Sequence, residues 1–387
     1  MSSPLGTEST DRCAQVPVLH SSMTRISDLS IVPFQVGRQP RELWASGDYV
    51  VVEVLHASPS FRLELPTGRM VELTAGDLVV GALGRRHATL EATGSWELVG
   101  DDGRMELLTG GGLLGRSSSR SALIAPLPRV RYRGHAERDG LPMRMAGFVA
   151  RRRDPEARDR HHRLPPIVMI IGTSMSAGKT ATARALIRRL RCMGLGVMGA
   201  KVTGAGRYRD ILTMADAGAD PVLDFVDVGL PSTVCPESEY AEALDLLIAR
   251  MAEAAAHRRG HATVGDRASR PQQLMTSTDA ECPINAAVIE VGASPLEPYN
   301  GSAAVERLRD STCLTVLCAS DPYAVVGIMQ AFDVRPDFVT GIASNTLAGV
   351  ELVERLTGVR TLDVCNPATA PELDGLLRSA LGLHGSG

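Results

Sequence analysis

Residues 167–180, Ile167-Val-Met-Ile-Ile-Gly-Thr-Ser-Met-Ser-Ala-Gly-Lys-Thr180, carry the reading from which the rest follows. The apolar run Ile167–Ile171 has the length and β-branched content of a buried strand, and Gly172 ends it. From Ala181 to Met193 the period changes. Ala183, Leu186, Ile187 and Leu190 recur at i, i+3, i+4 and i+7, while Arg184, Arg188 and Arg189 take the other side, as on an amphipathic helix. Strand, glycine loop and helix in this order form a phosphate cradle, because loop amides and the helix N-terminus converge on one point. Gly172, Thr173, Ser174, Ser176, Ala177, Gly178, Lys179, Thr180 and Ala181 are the candidate cradle residues. Lys179 is placed to reach the β/γ-phosphates and Thr180 to put a hydroxyl on Mg²⁺. The common G-x-x-x-x-G-K-[ST] spacing would start at Thr173; here the first glycine stands one residue earlier, at Gly172.

Downstream, strand and helix signals alternate with short loops, which specifies a mostly parallel sheet with helices on both faces. Gly196–Gly206 reads as a strand with Lys201 and Thr203 near its carboxyl end, where ligands of open α/β sheets sit. Lys179 and Lys201 are the only lysines in a chain with 41 Lys and Arg residues, so a compact ammonium is kept at these two places alone. Val222–Thr233 is a third strand and its loop; Asp224 and Asp227 are candidates for Mg²⁺ or a substrate amine, with Asp210 and Asp216 ranked below them. In Asn285–Pro295 an apolar run ends in Glu290, the position from which a carboxylate holds Mg²⁺ beside a phosphate loop. Pro236 opens a helix with Tyr240, Leu244, Leu247 and Met251 on one face. Residues 257–280 are polar enough for a lid or a disordered insertion; His257 and His261, split by a glycine, do not make a metal site. Leu314–Ala319 and Phe338–Asn345 are further strands.

The N-terminal part reads differently. Residues 1–25 are polar and loose, residues 26–150 are β-rich, and an arginine-rich linker, 151–166, leads into the unit 167–387. Short strands such as Asp48–Leu55, Phe61–Leu65 and Asp77–Leu83, set off by Gly and Pro turns, suit a small barrel or sandwich. Alternation in Phe61-Arg-Leu-Glu-Leu65 predicts Arg62 and Glu64 on the solvent side. Gly81–His87 and Thr109–Gly112 read as bulges and turns, with ligand-facing loops as the alternative.

A net charge of −3 and 4% aromatic residues give no basis for nucleic-acid binding. No apolar run approaches the ~18 residues of a membrane span, and no signal-peptide pattern opens the chain. Seven cysteines without Cys-x-x-Cys spacing fit reduced thiols, so a cytoplasmic location is expected.

Gly172–Thr180, Lys201, Glu290 and Asn345 together resemble the branch of P-loop proteins that contains dethiobiotin synthetase and the cobyrinate amidating synthetases. The likeness covers residues 167 to about 365. It implies a P-loop three-layer α/β/α fold, with two lysines flanking the γ-phosphate, substrate across the sheet edge and Asn345 presented to the nucleotide base. Val291 departs from the glycine that this group carries after its acid. The C-terminal unit also resembles a little-characterised P-loop family that includes an N-acetyltransferase acting on a D-amino acid.

The expected function is therefore Mg·ATP-dependent activation of a small anionic metabolite, as a kinase or as a ligase through an acyl phosphate. Lys179, Lys201 and Glu290 are the catalytic candidates; Thr180, Glu290 and Asp224 the metal ligands; Lys201, Thr203, Asp224 and Asp227 the substrate side. Two alternatives stand: an acyltransferase that anchors acetyl-CoA on the loop, and a nucleotide-switch ATPase or GTPase acting on a partner protein. The β-rich part is expected to cover the open edge or to mediate homo-oligomerisation.

Overall fold

The computed structural model describes residues 18–149, 163–260, 283–332 and 334–383. The segment before residue 18, most of the arginine-rich linker and the polar stretch 261–282, with Cys13, His261 and Cys282, lie outside the described residues. The chain is a mixed α/β structure, with a β-rich N-terminal domain and a C-terminal parallel sheet.

The N-terminal strands are β1 (Val18–His20), β2 (Gln35–Gly37), β3 (Tyr49–His56), β4 (Leu63–Glu64), β5 (Met70–Val71) and β6 (Leu78–Leu83), then β7 (Arg85–His87), β8 (Ala92–Ser95), β9 (Arg104–Leu107), β10 (Leu113–Arg120), β11 (Arg129–Arg138) and β12 (Leu141–Pro142). Pairing runs β6-β3-β11-β9-β10, and β10 returns to β6, so these five strands close a ring. Closure removes the exposed sheet edges that short strands would otherwise leave. In β3 both faces are buried. Val50, Val52 and Val54 belong to the core inside the ring, whereas Tyr49 and Val51 belong to a second core shared with the C-terminal sheet.

The C-terminal strands are β13 (Ile167–Gly172), β14 (Gly196–Thr203), β15 (Val222–Asp224), β16 (Ile284–Val291), β17 (Thr312–Cys318) and β18 (Phe338–Thr340). They pair in the order β15-β14-β16-β13-β17-β18, parallel throughout. The helices are α1 (Lys179–Cys192), α2 (Tyr208–Asp216), α3 (Glu237–Gly260), α4 (Gly301–Leu308), α5 (Pro322–Phe332), α6 (Leu347–Thr357) and α7 (Ala370–Ala380). Each face of the sheet has its own apolar cover. Val168 and Ile170 pack with Leu186, Ile187 and Leu190 of α1, Met214 of α2 and Leu377 of α7. Ile167, Met169 and Ile171 pack with Leu244 and Leu247 of α3, Leu308 of α4 and Ile328 of α5. Alternate residues of one strand thus fill two cores, which is why the run is apolar without interruption. Each buried Leu or Ile contributes about 1.5–3 kcal/mol.

Several boundaries differ from the sequence expectation. Residues 257–260, expected in the polar segment, are helical, because α3 continues through Gly260. Glu64, expected on the solvent side, is 1% exposed. Its carboxylate accepts hydrogen bonds from Ser22 Oγ (2.7 Å) and from the Tyr208 and Arg209 amides (2.6 and 2.7 Å). An N-terminal side chain therefore satisfies the free amides at the start of α2. No described helix is long and apolar enough to cross a membrane, and Cys192, Cys235, Cys313, Cys318 and Cys365 are free.

Candidate functional site

The connection from β13 crosses to β14 beyond β16, and the one from β16 crosses to β17 beyond β13, so these two neighbours send the chain in opposite directions and open a crevice at their carboxyl edge. The glycine loop lies at that edge. Gly172 leaves room for the Lys179 side chain: a Cβ at this position would stand 2.7 Å from Lys179 Nζ. The Lys179 ammonium folds back over the loop and donates to the Ser174 carbonyl at 2.7 Å. Ser174 Oγ donates to the Met175 carbonyl, and Thr173 Oγ1 accepts from the Ser320 amide. Ala177 is fully buried, and Gly178 caps α1 with a left-handed φ of 101°.

The remaining charged groups come from neighbouring strands. Lys201 and Glu290 are register partners on β14 and β16. Lys201 Nζ lies 4.0 Å from Glu290 Oε1 and is in direct contact with the Asp210 carboxylate from α2. Thr180 Oγ1 donates to Glu290 Oε2 at 3.1 Å. Burial pulls the Lys179 pKa below its ordinary value although Glu290 opposes the shift. Burial also works against the Lys201 charge, but Asp210 and Glu290 outweigh it and the pKa sits above the ordinary lysine value. Burial raises the Glu290 pKa, with Lys201 and Lys179 acting in the opposite sense.

These groups line one cavity of about 240 Å³. Of the candidates read from the sequence, Ser176, Gly178, Lys179, Thr180, Ala181, Lys201 and Glu290 line it. Asp210 also lines it, above the rank its position in the sequence gave it. A wider groove of about 1000 Å³ continues past Thr180 and Ala181 along α1, bordered by Arg184, Arg188, Arg207 and Arg209 and by Cys365–Pro367.

Of the expected loop residues, Gly172, Thr173, Ser174 and Ala177 do not line the cavity, and Asp224, Asp227, Thr203 and Asn345 stand elsewhere. Asp224 and Asp227 both pair with Arg25 from the N-terminal domain, and Asp227 Oδ2 also accepts from the Asp224 amide. Asp224 is fully buried, which raises its pKa against the pull of Arg25, and its Oδ2 has no partner. Neither carboxylate joins Thr180 and Glu290, because a cation from another part of the chain claims both. Thr203 is also fully buried; its hydroxyl donates to the Gly292 carbonyl at 3.0 Å and ties β14 to the end of β16. Gly292 makes the close approach at this end: a Cβ there would stand 2.1 Å from the Thr203 carbonyl oxygen, while Val291 fills the core. Asn345 is exposed and does not line the cavity; the adjacent Thr346 caps α6, accepting from the Gly349 amide.

Sequence reasoning named none of Arg86, Glu91, Thr109 and Arg207 as a site residue, yet all four line the cavity, as do Met175, Gly204, Ala205 and Ala293. Arg86 and Thr109 fall in the two glycine-bearing segments read as bulges and turns, and both line the cavity. Arg86 donates to the Leu108 carbonyl at 2.6 Å and pairs with Glu91. Glu91 Oε1 in turn accepts from Ser176 Oγ at 2.8 Å. The hairpin bearing both is fixed from below: Glu297 Oε1 accepts from the Thr89 amide at 3.0 Å, and the His87 amide donates to Tyr299 Oη at 2.7 Å.

No protein-family model matches the chain, and no curated protein matches it. Among solved structures, it is similar to the signal recognition particle 54 kDa protein of Aeropyrum pernix K1, solved with GDP. The identity is 16% and the TM-score 0.32, over 62% of this chain and 54% of that one. The chain spans about half the length of that protein, and a likeness this distant carries no argument about fold or function.

Proposed function

We propose that the protein binds a nucleoside triphosphate at the glycine loop and transfers its terminal phosphoryl group to a small anionic metabolite. The product is either a phosphorylated metabolite or an acyl phosphate that a ligase step consumes. The observation that carries this reading is the convergence of the Lys179 and Lys201 ammonium groups, the Thr180 hydroxyl and the Glu290 carboxylate on one cavity beside the loop amides. Phosphoryl transfer needs positioning and charge stabilisation more than a protein nucleophile. Lys179 leaves the Ser174 carbonyl to meet phosphate oxygens; Lys201, held by Asp210, orients the anionic acceptor. The nucleoside lies in the arginine-bordered groove along α1, a place that Asn345 does not reach. The whole rests on resemblance to the dethiobiotin synthetase branch as well as on geometry.

The donor set suits Mg²⁺. Thr180 Oγ1 and Glu290 Oε2 are oxygen donors already within 3.1 Å, and this ion takes its remaining ligands from water and phosphate. Among the described residues no cluster of three His, Cys, Asp or Glu would compete as a protein-only metal cage. When bound, the ion would neutralise charge on the transferring group.

The groove supports a second reading. Its size and its five arginines, Arg184, Arg188, Arg189, Arg207 and Arg209, also suit the several phosphates of acetyl-CoA, with the loop as an anchor for acyl transfer. Calorimetry with ATP and acetyl-CoA, each with and without Mg²⁺, separates the two. Metal-dependent ATP binding supports phosphoryl transfer; metal-independent acetyl-CoA binding without ATP affinity overturns it. A partner-activated nucleotide switch has no specific structural feature in its favour. The proposal includes a cytoplasmic setting and self-association, which sedimentation velocity would read.

A further inference from the structure

The hairpin between β7 and β8 brings a cation into the cavity that the glycine loop alone lacks. Arg86 is 9% exposed, and its Nε has no hydrogen-bond partner although it is buried. Its other two nitrogens are held by the Leu108 carbonyl and by Glu91. An unpaired guanidinium N–H buried beside a cavity is costly unless a ligand completes it. Glu91 spans the gap between this arginine and the loop, one carboxylate oxygen on Arg86 and the other on Ser176 Oγ. A carboxylate held between a guanidinium and the hydroxyl of a phosphate-binding loop occupies ground suited to a phosphate oxygen.

We propose that Glu91 is an internal stand-in for the ligand's phosphate, and that a bound polyphosphate displaces it and takes over Arg86 and Ser176. Arg86 is then a ligand contact supplied in cis by the N-terminal domain, and the hairpin is what that domain contributes to the site. The fixed points are Thr89 on Glu297 and His87 on Tyr299, so displacement needs only the Glu91 side chain to turn away; the hairpin backbone stays in place. The inference rests on the phosphate-loop reading given above.

The test uses the full chain and inorganic tripolyphosphate with Mg²⁺, which carries neither base nor acyl group. Calorimetry would compare the wild type with Glu91→Gln, Arg86→Met and Lys179→Ala, and thermal melting would check that each is folded. Glu91→Gln keeps the shape but removes the competing charge, so affinity should rise about tenfold. Arg86→Met should weaken binding by about tenfold or more, if folded. Unchanged or weaker binding in folded Glu91→Gln overturns the stand-in, whatever Arg86→Met does. Should Lys179→Ala bind as well as the wild type, the phosphate-loop reading itself fails. Loss in Lys179→Ala with no gain in Glu91→Gln leaves that reading intact and removes this one.

Discussion

The Lys201 ammonium stands 4.0 Å from Glu290 Oε1, and the two residues are paired across β14 and β16. Neighbouring parallel strands thus deliver a cation and an anion to the same depth of the crevice. Lys179 approaches the same carboxylate from the glycine loop, so Glu290 is the charge that both lysines share.

Lys179→Ala should abolish binding of Mg·ATP, with a loss of at least about 100-fold. It should not lower the melting temperature, since burial already disfavours the Lys179 charge and its pKa lies below the ordinary value. Calorimetry paired with thermal melting checks both halves; binding that survives the change excludes a phosphate role for this residue.

Lys201→Ala should leave nucleotide affinity within about threefold and remove turnover, because Lys201 is assigned to the acceptor and the transferring group. An equal loss of affinity in the two lysine variants would make Lys201 part of the phosphate cradle only. Affinity is measurable without knowing the acceptor; turnover follows once a substrate is found.

The Lys201–Asp210 pair predicts a pH-dependent stability. The folded Asp210 pKa is lowered: burial opposes ionisation, but Lys201 outweighs it. Its contribution is therefore present above the ordinary carboxylate range and is lost as pH falls through the lowered value. The folded Lys201 pKa is raised, so its contribution is full below the ordinary lysine pKa and is lost as pH rises through the folded value. Asp210→Asn should cost about 2 kcal/mol on the plateau between those limits, less than a fully isolated charge because Glu290 remains. Denaturant unfolding at about pH 3 and about pH 7 should show the wild-type advantage shrinking in acid; a constant difference would contradict the pairing.

Arg25→Met should destabilise the protein by about 3 kcal/mol, since it strands two carboxylates beneath the N-terminal domain. Adding Asp224→Asn should recover part of that loss, because the buried carboxylate is then neutral. A double-mutant cycle reads the coupling; strict additivity would show that the pair does not link the two parts.

How far the sequence could be read followed from how local each interaction is. The strand, glycine loop and α1 are encoded within a few turns of chain, and the periodicity of Ala183, Leu186, Ile187 and Leu190 matches the buried face found. Lys201 and Glu290 were legible because a parallel sheet brings strand ends to one edge. Asp224 looked equivalent to Glu290 by the same criterion. What separates them is Arg25, 199 residues away in sequence, which no local pattern announces. Arg86 and Glu91 escaped for the same reason: their role depends on how a closed ring of strands packs on a distant loop.

The capping of α2 by Glu64 has a consequence for dissection of the chain. The helix that presents Asp210 to Lys201 begins with two amides whose acceptor belongs to the other end of the polypeptide. Residues 163–383 expressed by themselves would begin this helix on bare N–H groups, fraying its first turn and releasing the lysine from its counter-ion. The Lys201–Asp210 contact is thus a property of the undivided protein, although both residues lie in its second half.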